Sequence, residues 1–276
     1  MLIPTNANPG QEKSERGGHA TTPLQAIGSF VIAAICRDGI IIGSDSRTNF
    51  YSHDGRKLAH FDESQKIVLV DNNLIAYTGH AFIKNVWFCH IIKEFGRLNP
   101  GLSIENFLPA FISFCKRSFP SECIEEIRKN MLIAAGYSGK LPKVCYLNER
   151  QTEGFSYTCN CRFVQSDRSL FNNYSDRLMR MSFEEVAGLI DRAIKDYASL
   201  EGHSDIGGET VIRVITSDQS RWLSQAPHDH GWTYIHDFVK DYRNGKVPVV
   251  LDPGATAEEF ERLLTQAEHW SRGRKR

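Results

Sequence analysis

Two uninterrupted apolar runs, separated by a short polar turn, constrain the fold of this chain more than any other feature. The first run is SFVIAAIC, at residues 29–36, and after the turn RDG the second run is IIIGSDSR, at residues 40–47. This pattern predicts an antiparallel hairpin. Because neither run alternates with polar residues, we expect both faces of both strands to be covered. The second strand ends on Asp45 and Arg47, so the hairpin carries charge into a buried region.

The rest of the pattern groups strands and helices instead of alternating them. Residues 51–65 are polar and predict a protruding hairpin or loop. The expected strands that follow are at 66–79 (a pair), 130–138, 142–149, 154–164, 207–218 and 219–224, and the expected helices are at 81–98, 103–119, 181–200, 232–245 and 256–270. Ser103 and Ser182 are the expected N-caps. This grouping disfavours a doubly wound parallel sheet and favours layers of antiparallel sheet and helix.

Composition excludes several classes of partner. Lys+Arg and Asp+Glu both total 33, so the formal net charge is zero and no general attraction to nucleic acid or anionic membrane is expected. The basic run SRGRKR at 271–276 is interpreted as a solvated tail. No apolar stretch approaches the ~18 residues of a membrane span. The seven cysteines are odd in number and several lie in apolar runs, which indicates a reducing, cytoplasmic compartment.

Four segments, taken in order, carry a resemblance to a known family. They are DGIIIGSDSR, QKIVLVDNNLIAYTGHA, AAGYSGKLPKVCYLNE and MSFEEVAGLIDRAIKDYA followed by GGETVIRVIT. Together they resemble the proteasome β-type peptidases among the N-terminal nucleophile (Ntn) hydrolases, and in particular bacterial proteasome-like homologues. The resemblance spans about residues 28–218. It implies an α+β fold, a four-layer αββα sandwich at 29–225. The polar stretch at 1–28 is interpreted as a flexible leader or propeptide, and the helical pattern at 226–276 as a C-terminal extension.

The resemblance also assigns a nucleophile. In the family, the nucleophile is the first residue of the mature chain, freed by self-cleavage after a glycine, and the catalytic aspartate follows sixteen positions later. Counting back from Asp45 leads to Ser29, and Gly28 precedes it. A hairpin explains this spacing, because pairing brings the start of one strand beside the end of the next. Members of this branch normally carry threonine, so serine is a departure.

The chemistry expected at this site uses few groups. A free α-amine titrates near pKa ~7.7–8.0, so it can accept the hydroxyl proton of its own residue. By resemblance, Lys66 adds positive charge beside the Ser29 hydroxyl, Asp45 orients Lys66, and the backbone N–H of Gly79 is the oxyanion donor. Arg47 is interpreted as a brace of the fold. The alternatives are a structural ion pair for Asp45 and Lys66 and a plain loop position for Ser29.

A supporting carboxylate is expected after the long helix, where the match is weakest. Counting from the helix gives Glu201, and counting back from the Gly207-Gly208 pair gives Ser204 or Asp205. A second family serine has no clear counterpart, although Ser166 is a candidate. The ten histidines show no ligand spacing, so neither a metal nor a cofactor is expected.

The resulting hypothesis is a self-processed peptidase that cleaves peptides or unfolded chains inside a homo-oligomeric ring, with an unfoldase as a possible further partner. The ring is expected because several large aromatic side chains exceed what one helix–sheet contact needs. These are Phe82, Trp87, Phe88, Phe107, Phe111 and Phe114. Two alternatives stay open: a catalytically inactive structural subunit of the same fold, and an Ntn amidase acting on small amides.

Overall fold

The computed structural model describes residues 25–28, 30–150, 154–158, 163–165, 175–200 and 205–272. Several residues singled out from the sequence lie outside these ranges: Ser29, Ser166, Glu201, Ser204, Cys159 and Cys161, with most of the leader and the last four residues of the tail.

Numbered along the chain, the strands are β1 (Gln25–Gly28), β2 (Val31–Cys36), β3 (Gly39–Asp45), β4 (Thr48–Tyr51), β5 (Lys57–Phe61), β6 (Ile67–Val70), β7 (Asn73–Tyr77), β8 (Gly79–His80), β9 (Phe82–Ile83), β10 (Val86–Trp87), β11 (Leu132–Ser138), β12 (Leu141–Arg150), β13 (Gly154–Thr158), β14 (Phe163–Gln165), β15 (Thr210–Ile215), β16 (Ser220–Trp222) and β17 (Val249–Leu251). The helices are α1 (Phe88–Leu98), α2 (Ile104–Ser118), α3 (Ser121–Arg128), α4 (Ser175–Leu178), α5 (Phe183–Ala198), α6 (Ile235–Arg243) and α7 (Ala257–Arg272).

Most of the strands form three five-stranded sheets. Sheet I has the order β14-β2-β3-β15-β16, sheet II has the order β13-β12-β11-β7-β6, and sheet III has the order β17-β5-β4-β1-β8. Neighbouring strands are antiparallel in each, including the expected β2–β3 hairpin, which closes at Cys36 and Gly39. The chain is therefore a mixed α+β protein built on antiparallel sheets.

Sheets I and II bury their apolar side chains against each other and against helices. On β2, Val31 and Ala33 belong to a cluster that also contains Leu74 and Ile133 of sheet II. The alternate residues of β2 point the other way and pack with α5. Helices α1 and α2 share a third cluster with residues of sheet II such as Ile75. The uninterrupted apolarity of β2 and β3 thus corresponds to strands that are covered on both faces.

The helix expected at 81–98 begins seven residues later than predicted. Its first residues instead form the β9–β10 hairpin, with Lys84 at φ +60° in the turn. The cause is a long-range contact, because the backbone N–H of Trp87 donates to the carbonyl of Thr233 at 2.8 Å. Helix α3 was also not anticipated.

Both predicted serine caps lie at the helix starts, but only one caps through its side chain. The Glu185 N–H donates to the Ser182 hydroxyl at 3.2 Å, and the Ser182 N–H donates to the Glu185 carboxylate at 2.7 Å. This reciprocal capping box stabilises the first turn of α5. Ser103 occupies the N-cap position of α2 without a side-chain hydrogen bond to the helix.

The aromatic side chains expected at an oligomer interface lie in the interior. Phe82, Trp87, Phe88, Phe107 and Phe111 are all buried, and Phe114 packs partly buried against Phe95. They fill the seam between helices and sheet, so the expectation that they form exposed apolar surface is wrong. Ring assembly stays a prediction of the resemblance and loses this physical argument.

The C-terminal segment covers sheet III. Helices α6 and α7 place Phe238 and Phe260 with ring centroids 5.0 and 5.5 Å from that of Phe50 on β4. Strand β17 pairs with β5 at the edge of the same sheet. The two helices expected at the C-terminal end are therefore present, and they share one apolar cluster with α1 and α2.

The cysteines of the described residues fall into two groups. Cys36, Cys89, Cys115 and Cys123 are buried and are not part of a disulfide, whereas Cys145 is disulfide-bonded. The reducing compartment expected from the sequence stays a prediction. Among the described helices, none combines the length and the apolar character that crossing a membrane requires.

Candidate active site

A buried ion pair joins the end of β3 to the residue that precedes β6. The Lys66 Nζ donates to the Asp45 Oδ1 at 2.9 Å, and the two side chains are 2% and 0% exposed. The ammonium group also donates to the carbonyl of Arg47. The sequence predicted that these two residues would meet, and their hydrogen-bonded contact confirms that placement. Their catalytic role stays a prediction.

Backbone groups surround the Asp45 carboxylate. The N–H of Phe30, the residue that follows Ser29, donates to the Asp45 Oδ1 at 2.8 Å. The N–H groups of Arg47 and Gly207 donate to the Asp45 Oδ2 at 3.2 and 3.3 Å. An ionised carboxylate accepts hydrogen bonds on both oxygens, and here N–H donors reach both. Asp45 therefore ties together the chain position after Ser29, the Lys66 ammonium and the loop before β15.

Burial and the neighbouring Asp45 carboxylate shift the pKa of Lys66 in opposite directions. Removal from water lowers the pKa of Lys66, and the charge of Asp45 opposes that shift. A buried cation next to a hydroxyl favours the deprotonated form of that hydroxyl. The contact with the Asp45 carboxylate thus favours the charged form of Lys66 against the effect of burial.

Arg47 braces the site from outside, as expected. Its guanidinium forms a two-pronged ion pair with Asp62, at 2.7 Å from Nε to Oδ1 and 2.9 Å from Nη2 to Oδ2. A Cβ atom on Gly207 would lie 2.5 Å from the Arg47 Cζ. Gly208 has φ +72° and would place a Cβ against the Ser46 hydroxyl. The glycine pair is therefore required for the loop before β15 to approach Arg47 and Ser46.

Asp205, one of the proposed supporting carboxylates, contacts sheet III. Its carboxylate accepts a hydrogen bond from the Tyr51 hydroxyl, and its carbonyl accepts one from the Asn49 Nδ2 at 2.7 Å. Burial, followed by the contact with Asp205, raises the pKa of Tyr51. Asp205 thus anchors its loop to β4, beside the Asp45–Lys66 pair but hydrogen-bonded to other groups. The position of Glu201 lies outside the described residues.

Strand β1 ends at the expected cleavage point and faces the expected oxyanion donor. Gly28 is the register partner of Gly79, and the Ala81 N–H donates to the Ala26 carbonyl at 2.8 Å. Hydrogen-bonded pairs recur at every second residue of an antiparallel ladder. The Gly79 N–H is therefore directed at the Gly28 carbonyl, the carbonyl of the bond between Gly28 and Ser29.

A small cavity lies behind the Lys66 loop. It has a volume of about 100 Å³ and is lined by Gln65, Cys89 and residues of α1 and of the segment 228–232. The Gln65 carbonyl accepts a hydrogen bond from the Cys89 thiol at 2.7 Å, and burial raises the pKa of that thiol to about 11. The thiol is neutral at physiological pH, and within the described residues no group of His, Cys, Asp and Glu side chains is arranged to hold a metal ion.

Three polar residues at the site were missed in the sequence: Asn49, Tyr51 and Asn130. Each lies in an ordinary strand or loop context, and no motif marks it.

Comparison with known proteins adds no assignment, because no protein-family model matches this chain and a search of curated proteins found no match.

Proposed function

We propose that this chain is a proteasome-like peptidase of the Ntn class, which cleaves itself between Gly28 and Ser29 and then hydrolyses peptide bonds. The packing of α5 on sheet I, of sheet I on sheet II, and of sheet II on α1 and α2 fits the four-layer αββα sandwich of that class. A cytoplasmic location, a homo-oligomeric ring and an unfoldase partner belong to the same proposal and rest on the resemblance.

One observation carries the proposal. The Gly28 carbonyl faces the Gly79 N–H, and the buried Asp45–Lys66 pair is hydrogen-bonded to the residue just after Ser29. A backbone N–H aimed at a scissile carbonyl and a fixed charge beside the nucleophile are the two elements that acyl transfer needs. Both elements support cleavage at the bond between Gly28 and Ser29, which the resemblance assigns.

Self-cleavage would proceed as an acyl shift. The Ser29 oxygen attacks the Gly28 carbonyl carbon, and the developing oxyanion accepts the Gly79 N–H. Collapse breaks the C–N bond and leaves Gly28 esterified to Ser29, whose nitrogen takes up the hydroxyl proton. Water then hydrolyses the ester, which releases residues 1–28 and regenerates the Ser29 hydroxyl beside the α-amine that the shift has already freed. In the mature chain that amine accepts the hydroxyl proton during attack on a substrate.

The substrate position follows from β1. This strand lies between β4 and β8, and the Asn49 Nδ2 donates to the Ile27 carbonyl at 3.3 Å. A peptide substrate would take the same place in an extended conformation after the leader has left. Its scissile carbonyl would then face the Gly79 N–H as the Gly28 carbonyl does.

Intact-mass measurement of the purified protein tests the proposal. Wild type is expected to lose its first 28 residues, Ser29→Ala to remain full length, and Ser29→Thr to be processed like wild type because threonine carries the same hydroxyl. A wild-type chain that remains intact and still hydrolyses peptides would contradict the N-terminal nucleophile. A chain that is both intact and inactive would favour the structural-subunit alternative.

A further inference from the structure

Asn130 lies directly behind the proposed oxyanion donor. It is 0% exposed, and its side-chain amide makes two hydrogen bonds to one residue, His80. The His80 N–H donates to the Asn130 Oδ1 at 2.6 Å, and the Asn130 Nδ2 donates to the His80 carbonyl at 3.0 Å. A single side chain thus satisfies both backbone groups of the residue that follows Gly79.

These two hydrogen bonds lie on the side of β8 that faces away from β1. Gly79 and Ala81 direct their N–H groups at β1. The backbone N–H and carbonyl of His80, which lies between them, therefore point away from β1. Strand β8 is the edge of sheet III, and no strand of the described residues pairs with its outer side. The Asn130 amide occupies that side and offers one acceptor and one donor, as a strand residue would.

Gly79 itself is held against the same segment. It has φ +97°, and a Cβ atom there would lie 2.5 Å from the Asn130 Oδ1 and 2.8 Å from the Lys129 carbonyl oxygen. Only glycine combines this backbone conformation with this approach. The left-handed turn that aims the Gly79 N–H is therefore packed onto Asn130.

The backbone fixes Asn130 on both sides. The Asn130 N–H donates to the carbonyl of Ile127 at the end of α3 at 3.0 Å, and the Thr78 N–H donates to the Met131 carbonyl at 3.0 Å. The segment 129–131 thus anchors the residues before and after Gly79. It links that glycine to α3 and to the start of β11.

We propose that Asn130 is a positioning residue that sets the direction of the Gly79 N–H toward the oxyanion. The inference rests on the proposed function, because it assigns a partner to the oxyanion donor of that site. The Asn130 side chain does not touch substrate, and it acts through the His80 backbone. Losing one oxyanion donor reduces kcat about 10²–10³-fold, so misaiming one is expected to reduce it about 10–100-fold.

The test compares Asn130→Ala with wild type after self-cleavage has gone to completion. We expect kcat to fall about 10–100-fold with KM changed less than about twofold, because the donor is engaged mainly in the transition state. Self-cleavage itself is expected to slow by a similar factor. Asn130→Asp keeps the volume and the acceptor for the His80 N–H but loses the donor, so its kcat should also fall; this variant serves if Asn130→Ala does not fold.

A pair of inhibitors separates positioning from general disruption. A peptide aldehyde adds to the Ser29 oxygen and forms an oxyanion, whereas the matching peptide alcohol binds without one. The inhibition constant of the aldehyde is expected to rise about 10–100-fold in Asn130→Ala, and that of the alcohol to stay within about twofold. Asn73→Ala is the matched control, because it removes a buried amide that donates to the Leu102 carbonyl at 3.3 Å, and it should leave both constants unchanged.

Two results would overturn the inference while leaving the proposed function intact. One is an unchanged kcat in both Asn130 variants, and the other is an equal loss of affinity for aldehyde and alcohol. A wild-type protein that neither processes itself nor binds the aldehyde would instead overturn the proposed function, and this inference with it.

Discussion

At the scale of single residues, Lys66 is the side chain on which the site most depends. It is 2% exposed, and its ammonium group donates to the Asp45 carboxylate and the Arg47 carbonyl. Charged side chains are almost never buried to this degree unless they are paired. Either member of the pair therefore needs the other to remain inside the protein.

Substituting Lys66 should reduce activity and stability together. In Lys66→Ala the Asp45 carboxylate loses its only buried cationic partner among the described residues, and breaking such a pair costs about 3–5 kcal/mol. Under the proposed mechanism self-cleavage should also stop, because that mechanism requires the Lys66 charge. Chemical denaturation and intact mass measure the two effects. Lys143→Ala breaks an ion pair with Glu105 whose side chains are 21% and 31% exposed, and it should change the unfolding free energy by less than about 1 kcal/mol. Similar losses of stability in both variants would contradict the argument.

Sequence reasoning found the charged residues of the site and missed its amides. Asp45 and Lys66 could be predicted because the resemblance to the proteasome β-type peptidases assigns both residues to one site. Asn130 could not, since its two bonds go to a residue 50 positions away and a lone asparagine has no periodicity. The contact between Asp205 and Tyr51 could not be predicted for the same reason, because the two residues lie 154 positions apart.

At the scale of elements, the proposed self-cleavage depends most on strand β1. Residues 25–28 pair with β4 on one side and β8 on the other. The backbone groups of Ala26 and Gly28 hydrogen-bond to β8. The backbone groups of Ile27 therefore face β4, where Asn49 is the register partner of Ile27. This two-sided pairing holds the Gly28 carbonyl in front of the Gly79 N–H.

Disturbing β1 should slow self-cleavage without changing the mature enzyme. Ile27→Pro removes the N–H that pairs with β4, and proline is poorly tolerated inside a sheet. We expect processing at least about tenfold slower than wild type, followed over time by intact mass, and unaltered peptide hydrolysis once the chain has been cleaved. Ile27→Val, which keeps the N–H, should process at the wild-type rate. Equal rates for the two variants would show that β1 pairing does not control the reaction.

Local pattern predicted some elements and failed for others. The β2–β3 hairpin was correctly predicted because its apolar runs and polar turn decide the structure locally. The β9–β10 hairpin was missed because its last residue hydrogen-bonds to Thr233, far along the chain. The sequence also gave no sign that β1 would enter a sheet, since a strand of four residues carries little pattern.

At the scale of the whole molecule, the C-terminal segment and the cleavage region share sheet III. Helices α6 and α7 cover the face of that sheet that carries Phe50 and Phe61. Strand β4 thus has the apolar cover of α6 and α7 and is also the partner of β1. The stability of the extension and the geometry of the site are expected to be linked.

Removing one aromatic ring from this cover should destabilise the fold. Phe238 is 0% exposed and contacts Phe50, Phe61 and Trp232. Phe238→Ala is expected to lower the free energy of unfolding by about 3–5 kcal/mol, measured by urea denaturation. Leu141→Ala, at a side chain that is 67% exposed, should change it by less than about 0.5 kcal/mol. A small effect at Phe238 would mean that the extension packs loosely on sheet III.

Strand β1 lies between β4 and β8 in the strand order β5-β4-β1-β8, and this position affects which substrate chains could enter the site. Departure of the leader would leave a gap two strand spacings wide, roughly 9.6 Å between the β4 and β8 backbones. An extended chain fills such a gap and satisfies both edges with its own amides. An α-helix, about 10–12 Å across, is too wide and has no free amides to offer. If the proposed function is correct, we expect the gap to select substrates by backbone conformation before any side chain is recognised.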